Sequence, residues 1–242
     1  FFCYSNIKYG LLEFTDVVPF AEENLLVYQR FAKVFEQTYT RFLDLQKAEA
    51  QAREAQIEAG LERVRSRSMA MHKSEELIEV VTLVYDEIKP FGFATAGAEL
   101  ILKKKKNELQ QYWLSIAAEN KIIECFNIPT SIHPHFQKQW KAWKDQIPRL
   151  TLALEGQEKK AFDQLIFTKT DFKNLSDDVK EFILNHGNVD VFSHAIMKYG
   201  LLEAVDRSPL SEEKFVILER FAKVFEQTYT RFLDLQKAEA QA

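Results

Sequence analysis

FAKVFEQTYTRFLDLQKAEAQA occupies residues 31–52 and again residues 221–242. The match runs upstream at a constant offset of 190. KYGLLE stands at 8–13 and at 198–203, Asp16 and Pro19 return as Asp206 and Pro209, and Glu22, Glu23 and Arg30 return as Glu212, Glu213 and Arg220. Without a gap, residues 1–52 and 191–242 agree at 34 of 52 positions. A repeat of such long period is a duplicated module. The first copy carries the sequence downstream of the repeated segment, the second carries the sequence upstream of it, and together they order the rest of the chain.

Upstream of each identical stretch, residues 1–15 and 189–205 alternate loosely around Gly10 and Gly200, which predicts a β-hairpin in both places. Pro19 and Pro209 close the hairpins, and the acidic pairs beyond them suit the first turn of a helix. From Glu22 to Lys89 there is no Pro and a single Gly, Gly60, so this stretch predicts one very long helix or two nearly end to end. Phe31, Phe35, Phe42 and Leu45 fall on one face of it, and Ala48, Ala52, Ala55 and Ala59 continue at spacings of three and four. Ile57, Leu61, Val64 and Met71 carry the stripe on with a shifted phase, as a stutter does in a heptad repeat. A solitary helix would have nothing to bury such a seam against. Self-association through residues 31–64 is the expectation.

Ser74 reads as the cap of a fresh helix whose Leu77, Val80, Val81, Val84 and Ile88 face a core, stopped by Pro90-Phe91-Gly92. Strands are predicted at 93–102 and 108–118, joined by a turn through the lysines at 103–106, then at 121–127 and 149–154. Helices are predicted from His133-Pro134, over 157–168, over 176–186 with Ser176 as cap, and from Ser211 onward. This order gives an α+β fold with a mostly antiparallel sheet. The chain has 46% apolar and 28% charged residues and a net charge of −4, an ordinary globular composition without a basic tract for nucleic acid. Cys3 and Cys125 form no disulfide framework and suit a reducing, cytoplasmic setting. No stretch is apolar for the ~20 residues a membrane helix needs. The opening Phe-Phe-Cys-Tyr and the closing Ala242 both read as interruptions of an element, so the chain is expected to be an excerpt.

That element order, flanked by helices, resembles the GAF family of small-molecule sensor domains. The segment QKAEAQAREAQIEAGLERVRSRSMAMHKSEEL, residues 46–77, resembles the linker between tandem GAF-like modules of Bacteroidetes-type sensor histidine kinases and related regulators. Glu62-Arg63-Val64 is similar to the Glu-Arg-Thr core of signalling helices, with Val in place of Thr. The resemblance implies a truncated first domain over 1–21, a linker coil over 22–74, a complete GAF-like domain over 75–215, and the start of a second coil over 216–242. It implies a parallel homodimer that relays the state of a sensor to an output domain outside this chain. The family's Asn-Lys…Asp-Glu cyclic-nucleotide signature is absent, and neither Cys has a tetrapyrrole-attachment context, so no cofactor carries over.

Tyr112, Trp113, Phe126, Phe136, Trp140, Trp143 and Phe162 are the pocket candidates for an unidentified small-molecule ligand, with Lys144 and Arg149 as anion contacts; a plain aromatic core is the other reading. His133, His135 and Cys125 have metal-ligand chemistry but no zinc spacing, so no metal is expected. His72 lacks the Pro of a phospho-acceptor box, and His186-Gly187 reads as a helix C-terminus. Without a catalytic constellation the expected roles are sensor and relay, or else a dimerising spacer that binds no ligand.

Overall fold

A computed structural model describes residues 1–73, 76–93, 97–104, 109–116 and 122–241. It comprises two compact units, Phe1–Gln56 and Ile57–Ala242.

In the first unit, β1 (Phe2–Ile7) and β2 (Gly10–Thr15) pair as an antiparallel hairpin. The chain then enters α1 (Glu22–Met69), a 48-residue helix rich in Ala, Glu, Gln and Leu. The hairpin is tied to the helix by the amide of Lys8, which donates to Glu36 Oε2 at 2.7 Å, and by Tyr9, which meets Tyr39 edge-on at 5.1 Å.

The second unit begins inside the expected linker. Residues 57–69 of α1 and α2 (Leu77–Ile88) are two helices separated by a turn, and Met71 is buried in that turn. No Pro or Gly stands at the end of α1, and Met71, two residues beyond it, is buried. The expected cap Ser74 lies outside the described residues. Strands β3 (Gly97–Lys104), β4 (Leu109–Ile116) and β5 (Ile122–Pro129) come next, then α3 (Pro134–Lys144), β6 (Arg149–Glu155), α4 (Gly156–Lys169) and α5 (Asp177–Asn185). The closing elements are β7 (Val189–Met197), β8 (Gly200–Asp206) and α6 (Glu212–Gln241). Each predicted strand and helix is present among the described residues, with bounds shifted by a few residues; 94–96, 108, 117–118 and 121 of the expected strands lie outside the described residues. Lys105 and Lys106 of the expected turn lie outside the described residues, and Ser176 holds the cap position of α5 without a side-chain hydrogen bond.

The six strands form one antiparallel sheet in the order β5-β4-β3-β8-β7-β6. Two meanders, β3 to β5 and β6 to β8, meet where β3 pairs with β8 at the centre. Both faces are covered. Ala98, Leu100 and Leu102 of β3 and Leu202 and Ala204 of β8 join Ile57, Leu61, Val64, α2 and α6 in one core. The alternate residues Ile101, Leu201 and Val205 join Phe136, Phe162, Ile166 and Phe172 in the other. The period of two along a strand makes this division. The fold is therefore α+β, an antiparallel sheet flanked by helices, with a long N-terminal helix.

Gly60, the one glycine of α1, sits where helices converge: a Cβ there would meet Glu87 Oε2 at 2.9 Å and Phe221 Cζ at 3.4 Å. Arg63 pairs with Glu87 at 2.5 Å and Arg220 with Glu58 at 2.6 Å beside it. Leu61 and Val64, expected on a dimer seam, are therefore corrected: they are buried in the unit's own core. The phase shift read near Ile57 marks the point where the helix turns a face toward α2 and α6.

The repeated segment keeps its local contacts in both copies. The amide of Lys198 donates to Glu226 Oε2 at 2.5 Å and Tyr199 meets Tyr229 at 5.5 Å, the counterparts of Lys8–Glu36 and Tyr9–Tyr39. Burial separates the copies. Phe31, Phe35 and Phe42 are 61%, 46% and 50% exposed, whereas Phe221, Phe225 and Phe232 are 0%, 2% and 3% exposed. In the second copy the phenylalanine stripe faces the chain's own core. Leu45, Ala48, Ala52, Ala55 and Ala59 are exposed, and Leu235, the counterpart of Leu45, is exposed as well. No helix among the described residues is long and apolar enough to cross a membrane.

Candidate functional site

Between the sheet and α3–α5 lies a cavity of about 70 Å³. Tyr112, Phe136 and Phe162 line it, as the sequence suggested. The other four pocket candidates do not. Phe126 packs behind the wall on Phe172 at 4.8 Å. Trp113 belongs to the opposite core, because it comes directly after Tyr112 in a strand and points to the other side. Trp143 donates its indole N–H to the Lys198 carbonyl at 3.1 Å, and Trp140 lies under the Lys103 ammonium at 5.7 Å. Arg149 is no anion contact for the cavity: it pairs with Glu219 and Glu212 at 2.7 Å and ties β6 to α6. Lys144 is exposed.

The ionisable part of the wall is Glu99, His135, Asp163, His186, Asp190 and Glu203. The sequence reading named His135 and His186 in other roles and passed over the four carboxyl groups as site residues. For Glu99 and Glu203 the available signal was a Glu inside an otherwise apolar strand, as in AELIL (98–102) and LLEAV (201–205), and VFSHAIM (191–197) marks His194 beside them in the same way. Two networks hold these groups.

The first centres on Gln139 of α3, one helical turn after His135. Its Nε2 lies 3.1 Å from His135 Nε2, 3.0 Å from His194 Nε2 and 2.9 Å from Glu203 Oε2. Its Oε1 accepts from the Tyr112 hydroxyl at 2.6 Å. His194 and Glu203 are cross-strand partners on β7 and β8, with Nε2 and Oε2 2.5 Å apart. His194 Nδ1 faces the Leu150 carbonyl at 2.9 Å. A carbonyl only accepts, so Nδ1 carries a proton. At 2.5 Å the Nε2–Oε2 contact is a short hydrogen bond through one proton.

Burial, with the Glu203 carboxylate beside it, raises the Glu99 carboxyl well above its ordinary 4.5. Burial likewise lowers His135 well below 6.5 and Lys103 well below 10.5, the latter against the pull of Glu203. Glu99 binds its proton more tightly folded than unfolded. Its contribution to stability is full below about pH 4.5 and fades as pH rises through the folded value. Glu99→Gln should flatten the fall in melting temperature as pH rises from about 4.5 through the folded value, relative to the wild type. Parallel slopes in the two proteins would show that Glu99 is ionised in the folded chain.

The second network is an ion cluster. Lys159 Nζ of α4 lies 2.6 Å from Asp163 Oδ2, 3.2 Å from Asp190 Oδ2 and 3.3 Å from the Ile183 carbonyl. His186, at the C-terminal end of α5 as expected, meets Asp190 Oδ1 through Nδ1 at 2.7 Å. Although burial opposes it, the hydrogen bond to Asp163 and the Asp190 charge leave the Lys159 pKa raised.

No protein-family model and no curated protein sequence matches the chain. Among solved structures, the chromophore-binding domain of a bacteriophytochrome from R. palustris is similar, with a TM-score of 0.47 and 11% identity. The similarity covers 77% of this chain and 63% of that one, so the chain spans less than two thirds of that domain's length.

Proposed function

We propose that residues 57–242 are a GAF-like sensory domain that takes a small polar molecule into the cavity beneath α3–α5. The observation that carries this reading is the cavity itself, an apolar enclosure into which six ionisable side chains converge. Ligand-dependent strain in β3 and β8 would pass through the central sheet to the core shared by residues 57–69, α2 and α6. The exposed alanines from Ala48 to Ala59 supply a narrow seam for a parallel homodimer, the arrangement that the linker resemblance implies for a cytoplasmic signal-transduction protein of the tandem GAF-like kind with a separate output domain. The domain acts by binding and not by catalysis.

One observation favours the alternative of a ligand-free dimerising spacer: most of the polar groups on the wall already satisfy one another. A single set of measurements separates the two. The chain should sediment as a dimer that Ala48→Asp with Ala52→Asp converts to monomer. At least one member of a panel of amino acids, amines, organic acids and nucleosides should raise the melting midpoint by about 2 °C or more through mass action. That rise should vanish in Ile166→Trp, which fills the cavity. A monomeric wild type would sink the relay; a dimer whose melting no compound shifts would leave the spacer.

A further inference from the structure

We infer that His135 Nε2, His194 Nε2 and Glu203 Oε2 form a binding site for a divalent transition-metal ion of the zinc class, with the Gln139 amide oxygen as fourth ligand. This goes beyond the sensory reading and does not depend on it. Among the described residues these three side chains are buried, and their ligand atoms lie within 4.8 Å of one another. Three atoms of metal-ligand type surround Gln139 Nε2, which lies 2.9 to 3.1 Å from each. Turning the amide over would aim its oxygen at the same point and let its nitrogen donate to the Tyr112 hydroxyl, which lies 2.6 Å from the present Oε1.

The surroundings have the character of an outer shell. The Leu150 carbonyl fixes His194 through Nδ1, so Nε2 is the ring nitrogen presented to the site. Glu99 is the register partner of Glu203 on β3. Glu99, His135 and Glu203 all line the cavity, which supplies an entry path. Two imidazoles with one carboxylate match zinc, iron, nickel or copper better than calcium or magnesium. The ligands come from α3, β7 and β8, 59 and 9 residues apart, which is why no spacing motif announces them. His133 and Cys125 take no part in this assignment: His133 caps α3 by accepting from the His135 amide at 3.1 Å, and the side chain of Cys125 lies outside the described residues.

The exchange balances. The metal takes the place of the proton between His194 Nε2 and Glu203 Oε2, that proton passes to solvent, and the amide turns without a change in charge. Chain stripped with a chelator should bind one Co²⁺ with the visible bands of a four-coordinate N/O site, and Zn²⁺ should displace it. Calorimetric titration of Zn²⁺ should give a Kd of about 1 μM or tighter. His194→Gln and Glu203→Gln should each weaken binding at least about 100-fold. His72→Gln, on the exposed turn after α1, should leave it unchanged. The cobalt spectrum needs only the wild type, so a variant that fails to fold does not stall the test. A Kd weaker than about 100 μM, a six-coordinate cobalt spectrum, or undiminished binding in a folded His194→Gln chain would each overturn the site.

Discussion

Gly200→Ala is expected to abolish the cooperative melting of residues 57–242 or to lower its midpoint by more than about 10 °C, with a loss of about 4 kcal/mol or more. Gly200 opens β8, opposite Leu102 of β3 at the centre of the sheet. An added Cβ would overlap the Ile101 carbonyl oxygen and lie 2.8 Å from its carbonyl carbon and 3.0 Å from Leu102 Cα. These are backbone atoms, so no side chain can swing aside. Relief requires parting β3 from β8, the seam that joins the two meanders. Gly10, its counterpart, meets nothing within 4 Å, and with φ at +151° its replacement by Ala strains only the local backbone, by roughly 1 kcal/mol. Calorimetry of both variants checks the contrast. A Gly200→Ala chain that melts within about 3 °C of wild type would mean that β8 is not laid this close to β3.

Lys159→Met should cost about 3–5 kcal/mol, or roughly 10 °C in a domain of this size. Lys159 is among the largest fully buried side chains, and its removal takes away the ammonium that Asp163 and Asp190 share, leaving Asp190 with His186 alone. In the variant both carboxyls are driven toward the neutral form. The deficit should therefore be small near pH 4 and grow as pH rises through the folded carboxyl pKa values. The wild type carries the mirror-image dependence. The raised Lys159 pKa contributes fully below the ordinary 10.5 and is lost only above the folded value. Adding Asp163→Asn and Asp190→Asn to Lys159→Met should restore more than half of the loss, because neutral amides tolerate burial better than unpaired charges. Urea melts of the single and triple variants at pH 5 and pH 8 decide the matter, and a pH-independent deficit would point to lost packing in place of unpaired charge.

The fold was legible because its signals are local. Gly-bearing alternation marks both hairpins, Pro90-Phe91-Gly92 ends α2, and the proline-free run predicts α1. The candidate site was only partly legible. Tyr112 and Trp113 are consecutive in a strand, so strand periodicity already forbade both from lining one cavity. Likewise Phe136, Trp140 and Trp143 share a side of α3, but the helix also presents His135 and Gln139, and their partners stand on β7 and β8. Nothing local in the sequence announces that meeting, because it arises from strand order. Leu61 and Val64 failed as seam residues for the same reason. A helical stripe declares that it will be buried and not what will bury it.

The duplicated helix also affects how the molecule can be measured. Trypsin cuts after Lys33 and Arg41 and after Lys223 and Arg231, so the peptide VFEQTYTR arises twice from every chain with one mass and one retention time. One copy comes from a helix whose phenylalanine is open to solvent, the other from a helix locked into a core. Amides held by such different packing open at different free energies. In deuterium exchange, where an acid protease cuts the quenched chain, any fragment lying wholly inside the identical stretches has the same ambiguity, and its spectrum would show two envelopes and mimic two slowly interconverting states of one site. The doubling would instead count two places in a single state, and only longer, copy-specific fragments would tell them apart.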